Sequence, residues 1–126
     1  MKLLLDSHVL IGLIEESLRP GFRDALADPQ YELHASVASL WEIAIKVRLG
    51  KLPLKSPIDR WPELIADTGM VLLGIEASHV LADVTPAPAT RDPFDRLLLA
   101  QCQVERMQLV TLDRVLAGHP LAMRVP

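Results

Sequence analysis

The sequence predicts an α/β fold, a three-layer α/β/α sandwich in which a mainly parallel central sheet lies between two layers of helices. Three observations carry that expectation. Short apolar runs that do not alternate, at residues 2–5, 70–74 and 109–112, read as strands buried on both faces. Helical patterns separate these runs, so the strands must be joined by crossovers, which are expected to be right-handed. Two of the runs end in an aspartate, Asp6 and Asp113. Open parallel sheets bind ligands beyond the carboxyl ends of their strands.

The elements follow in order. Residues 2–5 form the first expected strand, and Asp6 or Ser7 caps a helix over 9–16. A second helix starts near Pro20, runs through Phe22, Ala25 and Leu26, and stops before Pro29. Residues 31–35 read as the next strand. Ser36 caps a helix that lasts to Leu49 and stops at Gly50. Its main apolar face is expected to be Val37, Leu40, Trp41, Ala44 and Val47, with Ala38, Ile45 and Leu49 on a second face. Glu42 sits on that second face, among apolar neighbours. Residues 51–57 form a loop. A helix over 58–68 ends at Gly69, a strand covers 70–74, and a short helix covers 76–84. The Pro/Ala-rich piece 85–90 is a linker. It leads to a long helix from Asp92 to about Met107, a strand over 109–112, a short helix over 114–117 and a terminal strand over 121–125.

Composition bounds the function. A chain of 126 residues that is 50% hydrophobic is expected to form one domain over residues 1–126, with a real core. Aromatic residues make up only 4%, so that core is mainly Leu, Val, Ile and Ala. The net charge is −3 and the pI about 5.7, which excludes a strongly basic footprint. A nucleic acid would have to be held by a local patch. So much apolar surface on a short chain also points to a partner that covers some of it. The single cysteine, Cys102, excludes a disulfide framework or a zinc cluster and predicts a reducing, cytoplasmic compartment. The opening apolar run is interrupted by Asp6 and His8, and nothing approaches the length of a membrane span.

The chemistry lies in the acids. Asp92 is a good N-cap, Pro93 suits the first helical position, and Asp95 falls at N3, where a carboxylate can reach back to the cap's N–H. Yet Asp95 shares its face with Leu98, Leu99 and Cys102. A carboxylate at the head of an apolar stripe is costly unless it is paired or bound to a cation. Asp6, Glu42, Asp95 and Asp113 can all lie near one edge of the sheet, where each would raise the others' pKa. Magnesium or manganese, held by a few carboxylates and several waters, removes that conflict. Ser7, Thr111 and Asp92 adjoin these acids and are candidates to orient them. Lys46, Arg91 and Arg96 lie close in sequence and are candidates for contact with a phosphate backbone. Each residue also has a structural role open to it. Asp6, Asp92 and Asp113 fit as helix caps, Glu42 fits an i,i+4 pair with Lys46, and the cations fit a solvated face.

One ordered set of motifs runs through the chain: Leu4-Leu5-Asp6-Ser7-His8, Ser39-Leu40-Trp41-Glu42-Ile43-Ala44-Ile45-Lys46, Gly50-Lys51-Leu52, Arg91-Asp92-Pro93-Phe94-Asp95-Arg96-Leu97-Leu98 with Ala100-Gln101, and Leu109-Val110-Thr111-Leu112-Asp113. The set resembles the PIN-domain ribonucleases, and among them the VapC-like toxins of type II toxin–antitoxin pairs. The resemblance implies a PIN-like sandwich and a magnesium- or manganese-dependent endoribonuclease. It places the family's four acids on Asp6, Glu42, Asp95 and Asp113. It also implies a cognate antitoxin, an RNA substrate and a homodimer. Two positions depart from the family pattern: Thr90 stands where a His is common, and Leu112 where an Asn is common. Two other readings stay open, an inactive binding module of the same fold and another magnesium-dependent phosphohydrolase. Of the latter, a phosphatase with a nucleophilic aspartate would want an acid two positions after Asp6, where the chain has His8.

Overall fold

A computed structural model describes residues 1–123. Its sheet has five strands, all parallel: β1 (Lys2–Leu5), β2 (Glu32–Ser36), β3 (Val71–Leu73), β4 (Gln108–Val110) and β5 (Ala122–Met123). Their spatial order is β3-β2-β1-β4-β5. The helices are α1 (Ser7–Ile14), α2 (Pro20–Leu26), α3 (Val37–Arg48), α4 (Trp61–Asp67), α5 (Ala77–Leu81), α6 (Pro93–Glu105) and α7 (Arg114–Ala117).

β1 explains its own sequence. It is the central strand, and Leu3, Leu4 and Leu5 are all fully buried. Successive side chains of a strand point to opposite faces. Leu3 and Leu5 therefore join a core with Val9, Leu10, Phe22, Trp61 and Ile65, contributed by α1, α2 and α4. Leu4 joins a second core with Leu98, Leu99, Cys102 and Leu116, contributed by α6 and α7. Each leucine so buried is worth about 1.5–3 kcal/mol.

Helix boundaries follow their caps. Asp6, not Ser7, caps α1, and its carboxylate accepts the Val9 N–H at 2.8 Å. The helix ends at Ile14, earlier than expected, and Glu16 has a positive φ of 58°. The helix expected over 58–68 opens as a 3₁₀ turn, Ile58–Arg60, before α4. Pro62 stands in the first turn of α4, where it lacks no needed N–H. The strands shift by one or two residues from their expected bounds, and α5 is shorter than 76–84. Of the terminal strand expected over 121–125, β5 covers Ala122–Met123, and residues 124 and 125 lie outside the described residues.

The apolar face expected for α3 is corrected. Leu40 and Val47 of the expected main face do pack against the first core, and Ala38 of the second is buried. But Trp41 is 58%, Val37 37% and Leu49 62% exposed, and the buried residues are Ala38, Ser39, Glu42 and Ile43. Hydrophobicity alone would turn Trp41 inward. The helix is instead rotated so that Glu42 meets Ser7 of α1, with Lys46 of its own helix as the second partner at any rotation, because a buried carboxylate without partners costs more than an exposed indole.

Candidate metal centre

The strand order sets the location. From β1 the chain steps outward to β2 and β3, then crosses back to β4 on the other side of β1. The gap beyond the ends of β1 and β4 is thus a topological switch point, where open α/β sheets form a crevice. Asp6 follows β1 directly, and its N–H donates to Val110 O of β4 at 3.0 Å. Asp113 follows β4 and caps α7, its Oδ1 accepting the N–H groups of Val115 (2.8 Å) and Leu116 (3.1 Å).

Asp6 is almost wholly buried, and Thr111 donates its hydroxyl to Asp6 Oδ2. Burial raises the Asp6 carboxyl above the usual carboxylate range, against the opposing hydrogen bonds from Thr111 and the Val9 N–H, with a further rise from Asp113. Glu42 is buried too; Ser7 donates to its Oε1, and Lys46 Nζ lies 3.1 Å from its Oε2. Asp95 stands in the first turn of α6 and is partly exposed. Its carboxyl is pushed up to about 6 by burial, then by the charges of Asp92, Glu42 and Asp113. Asp113 therefore bears on both Asp6 and Asp95, and Glu42 bears on Asp95, which links the four acids in a chain of neighbours.

The capping box open to Asp95 at the start of α6 does not form. Asp92 caps the helix, with Oδ1 accepting the N–H groups of Phe94 (2.8 Å) and Asp95 (3.3 Å). Asp95 does not reach back to the Asp92 N–H, which donates to Thr90 Oγ1 at 3.2 Å. The same hydroxyl donates to Asp95 Oδ2 at 3.3 Å. Thr90, noted in the sequence only as a departure from the family pattern, thus ties the linker to the acid. The signal available was a hydroxyl residue just before an Asp-rich helix start.

The remaining candidates divide. Ser7 and Thr111 are placed against Glu42 and Asp6. Lys46 is paired with Glu42, Arg91 is exposed, and Arg96 is exposed with its Nε donating to Thr90 O at 3.1 Å. Cys102 is buried and its thiol is pushed up to about 12 by that burial, which rules it out as a nucleophile. A buried polar chain escaped the sequence reading. Ser36 donates to Gln101 Oε1, Gln101 Nε2 donates to Gly74 O, and His79 bridges the Glu76 N–H and Glu105. It joins β2, α5 and α6 and is structural in kind, since the Nδ1 of His79 is already occupied by the Glu76 N–H.

The donor set fits a hard divalent ion by its chemistry. It is all oxygen, it is crowded with like charge, and Ser39 Oγ, one turn before Glu42, is buried with no hydrogen-bond partner among the described residues. It is not a closed cage: among the described residues no group of three or more His, Cys, Asp and Glu converges tightly enough to hold an ion. An ion bound through one or two carboxylates and several waters matches such a set.

The sequence profile of the PIN domain family matches residues 3–119. A comparison with curated protein sequences gave no match. Among solved structures, a toxin–antitoxin complex from Klebsiella pneumoniae is similar at a TM-score of 0.63 and 20% identity, covering 98% of this chain and 97% of that one. The VapBC2 complex from Rickettsia felis, bound to a DNA fragment from its promoter, is similar at 0.62 and 15% identity, covering 98% and 96%.

Proposed function

The chain belongs to the PIN domain family, and from that premise we propose that it is a magnesium- or manganese-dependent endoribonuclease, the toxin of a toxin–antitoxin pair. The observation that carries the reading is the coupling of Asp6, Glu42, Asp95 and Asp113 beside the switch point of the sheet. Asp6 and Asp95 are the main ion ligands in this proposal. Asp113, with Oδ1 committed to its helix, and Glu42, already held by Ser7 and Lys46, would reach the ion through its waters. When bound, the ion supplies a water of lowered pKa and neutralises charge on the attacked phosphate. Thr111, Ser7 and Thr90 keep the carboxylates aimed, and Arg91 and Arg96 are exposed for the RNA backbone.

Cleavage of RNA is to be measured with magnesium, with chelator, and in Asp6→Asn and Asp95→Asn. Cleavage should need the ion and fall by at least a hundredfold in either variant; undiminished cleavage in both would sink the assignment.

The two similar solved complexes support a protein antitoxin as partner. The proposal includes a homodimer and a cytoplasmic site of action; among the described residues no helix is long and apolar enough to cross a membrane. A second reading is favoured by one observation: Asp6, Asp92 and Asp113 all serve as helix caps. In that reading the protein is a PIN-fold binding module without catalysis, and calorimetric titration with magnesium would show no binding.

A further inference from the structure

We propose that Trp41, Phe94 and Arg96 form a subsite for one unstacked nucleobase of an RNA strand and the phosphate attached to it, a proposal that rests on the nuclease reading above. Trp41 is a large apolar side chain left 58% exposed by the rotation of α3 that buries Glu42. It is nonetheless held in place: the Phe94 ring meets it edge-on, with centroids 5.3 Å apart and planes at 75°. Edge-to-face pairs of this kind fix ring orientation. Each aromatic immediately precedes one of the acids in the chain, Trp41 before Glu42 on α3 and Phe94 before Asp95 on α6. The pair therefore joins the two helices that carry those carboxylates.

Trp41 also walls a cleft of about 560 Å³, together with Val80, Pro93, Arg96 and Leu97. None of the four acids lines it; the cleft lies beside them. Its size is ample for one base, and its wall offers an indole to stack on, the device by which proteins hold splayed single-stranded bases. Arg96 supplies the complementary charge. Its Nε is anchored on Thr90 O, which leaves the outer nitrogens for a phosphate. Thr90 is also the residue that holds Asp95, so the proposed phosphate contact and the carboxylate hang on one anchor. Asp83, the one acid in the cleft wall, opposes a phosphate inside the cleft and so favours the base as its occupant. Val80 and Leu81 extend the apolar surface along α5, which makes a second copy of the chain or another protein the rival occupant.

The test is binding of a short unstructured RNA in chelator, so that nothing is cut, read by tryptophan fluorescence. Trp61 is fully buried and gives a constant background. The RNA should quench Trp41, and a strand of equal length with abasic residues should not. Trp41→Ala should weaken RNA binding on the order of tenfold, and with magnesium present it should raise KM far more than it lowers kcat. Trp41→Phe should retain most of the affinity. Equal quenching by the abasic strand would overturn the proposal, as would unchanged RNA affinity in Trp41→Ala. Loss of a dimer in sedimentation with RNA affinity unchanged would likewise overturn it and hand the cleft to a second copy. If the wild type cuts RNA while Trp41→Ala binds it as tightly, the subsite fails and the nuclease reading stands; a wild type that neither binds nor cuts RNA overturns both.

Discussion

Replacing Asp95 by Asn should stabilise the ion-free protein at neutral pH. The Asp95 carboxyl is raised from 3.8 to about 6 by burial and by three neighbouring acids. A displacement of that size corresponds to about 3 kcal/mol as an upper bound. The group is partly exposed, so solvent screening reduces this to roughly half. The positive end of α6 returns about 0.3–1 kcal/mol to the charged form. About 1 kcal/mol of net destabilisation by the ionised Asp95 is left, worth roughly 3–5 °C in Tm for a domain of this size. The sign follows from proton binding. The folded state holds this proton more tightly than the unfolded chain, so between pH 3.8 and about 6 folding takes protons up, and stability falls as pH rises through that window. Urea or thermal unfolding in chelator should therefore find Asp95→Asn the more stable form at pH 7, with the difference gone near pH 4. Magnesium should stabilise the wild type and have little effect on the variant. A variant that is less stable than wild type at pH 7 in chelator would refute the reasoning, because the carboxylate would then be held by interactions stronger than its repulsions.

Two further outcomes follow from the same geometry. Thr90→Val removes the hydroxyl shared by Asp95 and the Asp92 N–H, and should weaken magnesium affinity several-fold in calorimetry; Thr90→Ser, which keeps the hydroxyl, should restore it. Gly12→Ala would place a methyl 2.5 Å from Leu18 Cδ2 and 2.8 Å from its Cγ. The overpacking costs about 1–3 kcal/mol against the roughly 1 kcal/mol that Ala gains over Gly inside a helix. Urea unfolding should therefore show a net loss of up to about 2 kcal/mol; a gain in stability would mean that Leu18 moves aside freely.

Much of this protein was legible in the sequence because its signals are local. Leu3, Leu4 and Leu5 in succession require a strand covered on both faces, and the central position of β1 supplies both covers. The caps Asp6, Ser36, Asp92 and Asp113 stand at their helix starts, because a short acceptor side chain reaches N–H groups two or three residues ahead. What the sequence could not decide was the rotation of α3, the partner of Asp95 and the strand order. Periodicity gave α3 two apolar faces, with Trp41 on the richer one. Tertiary contact chose neither as a whole: it buries Ala38, Ser39, Glu42 and Ile43, where Ser7 from α1 meets Glu42, and leaves Trp41 and Leu49 exposed. Asp95 had a backbone partner three residues away on paper, and Thr90, placed by the path of the linker, took it. Asp6 and Asp113, distant in the chain, became neighbours only when β4 came to lie beside β1, which depends on side-chain packing across the whole sheet and not on any local stretch. Sequence by itself determined the elements, their caps and the residue types able to hold an ion. The tertiary structure decided which of those residues face one another, because burial of a charge is settled by every element around it at once.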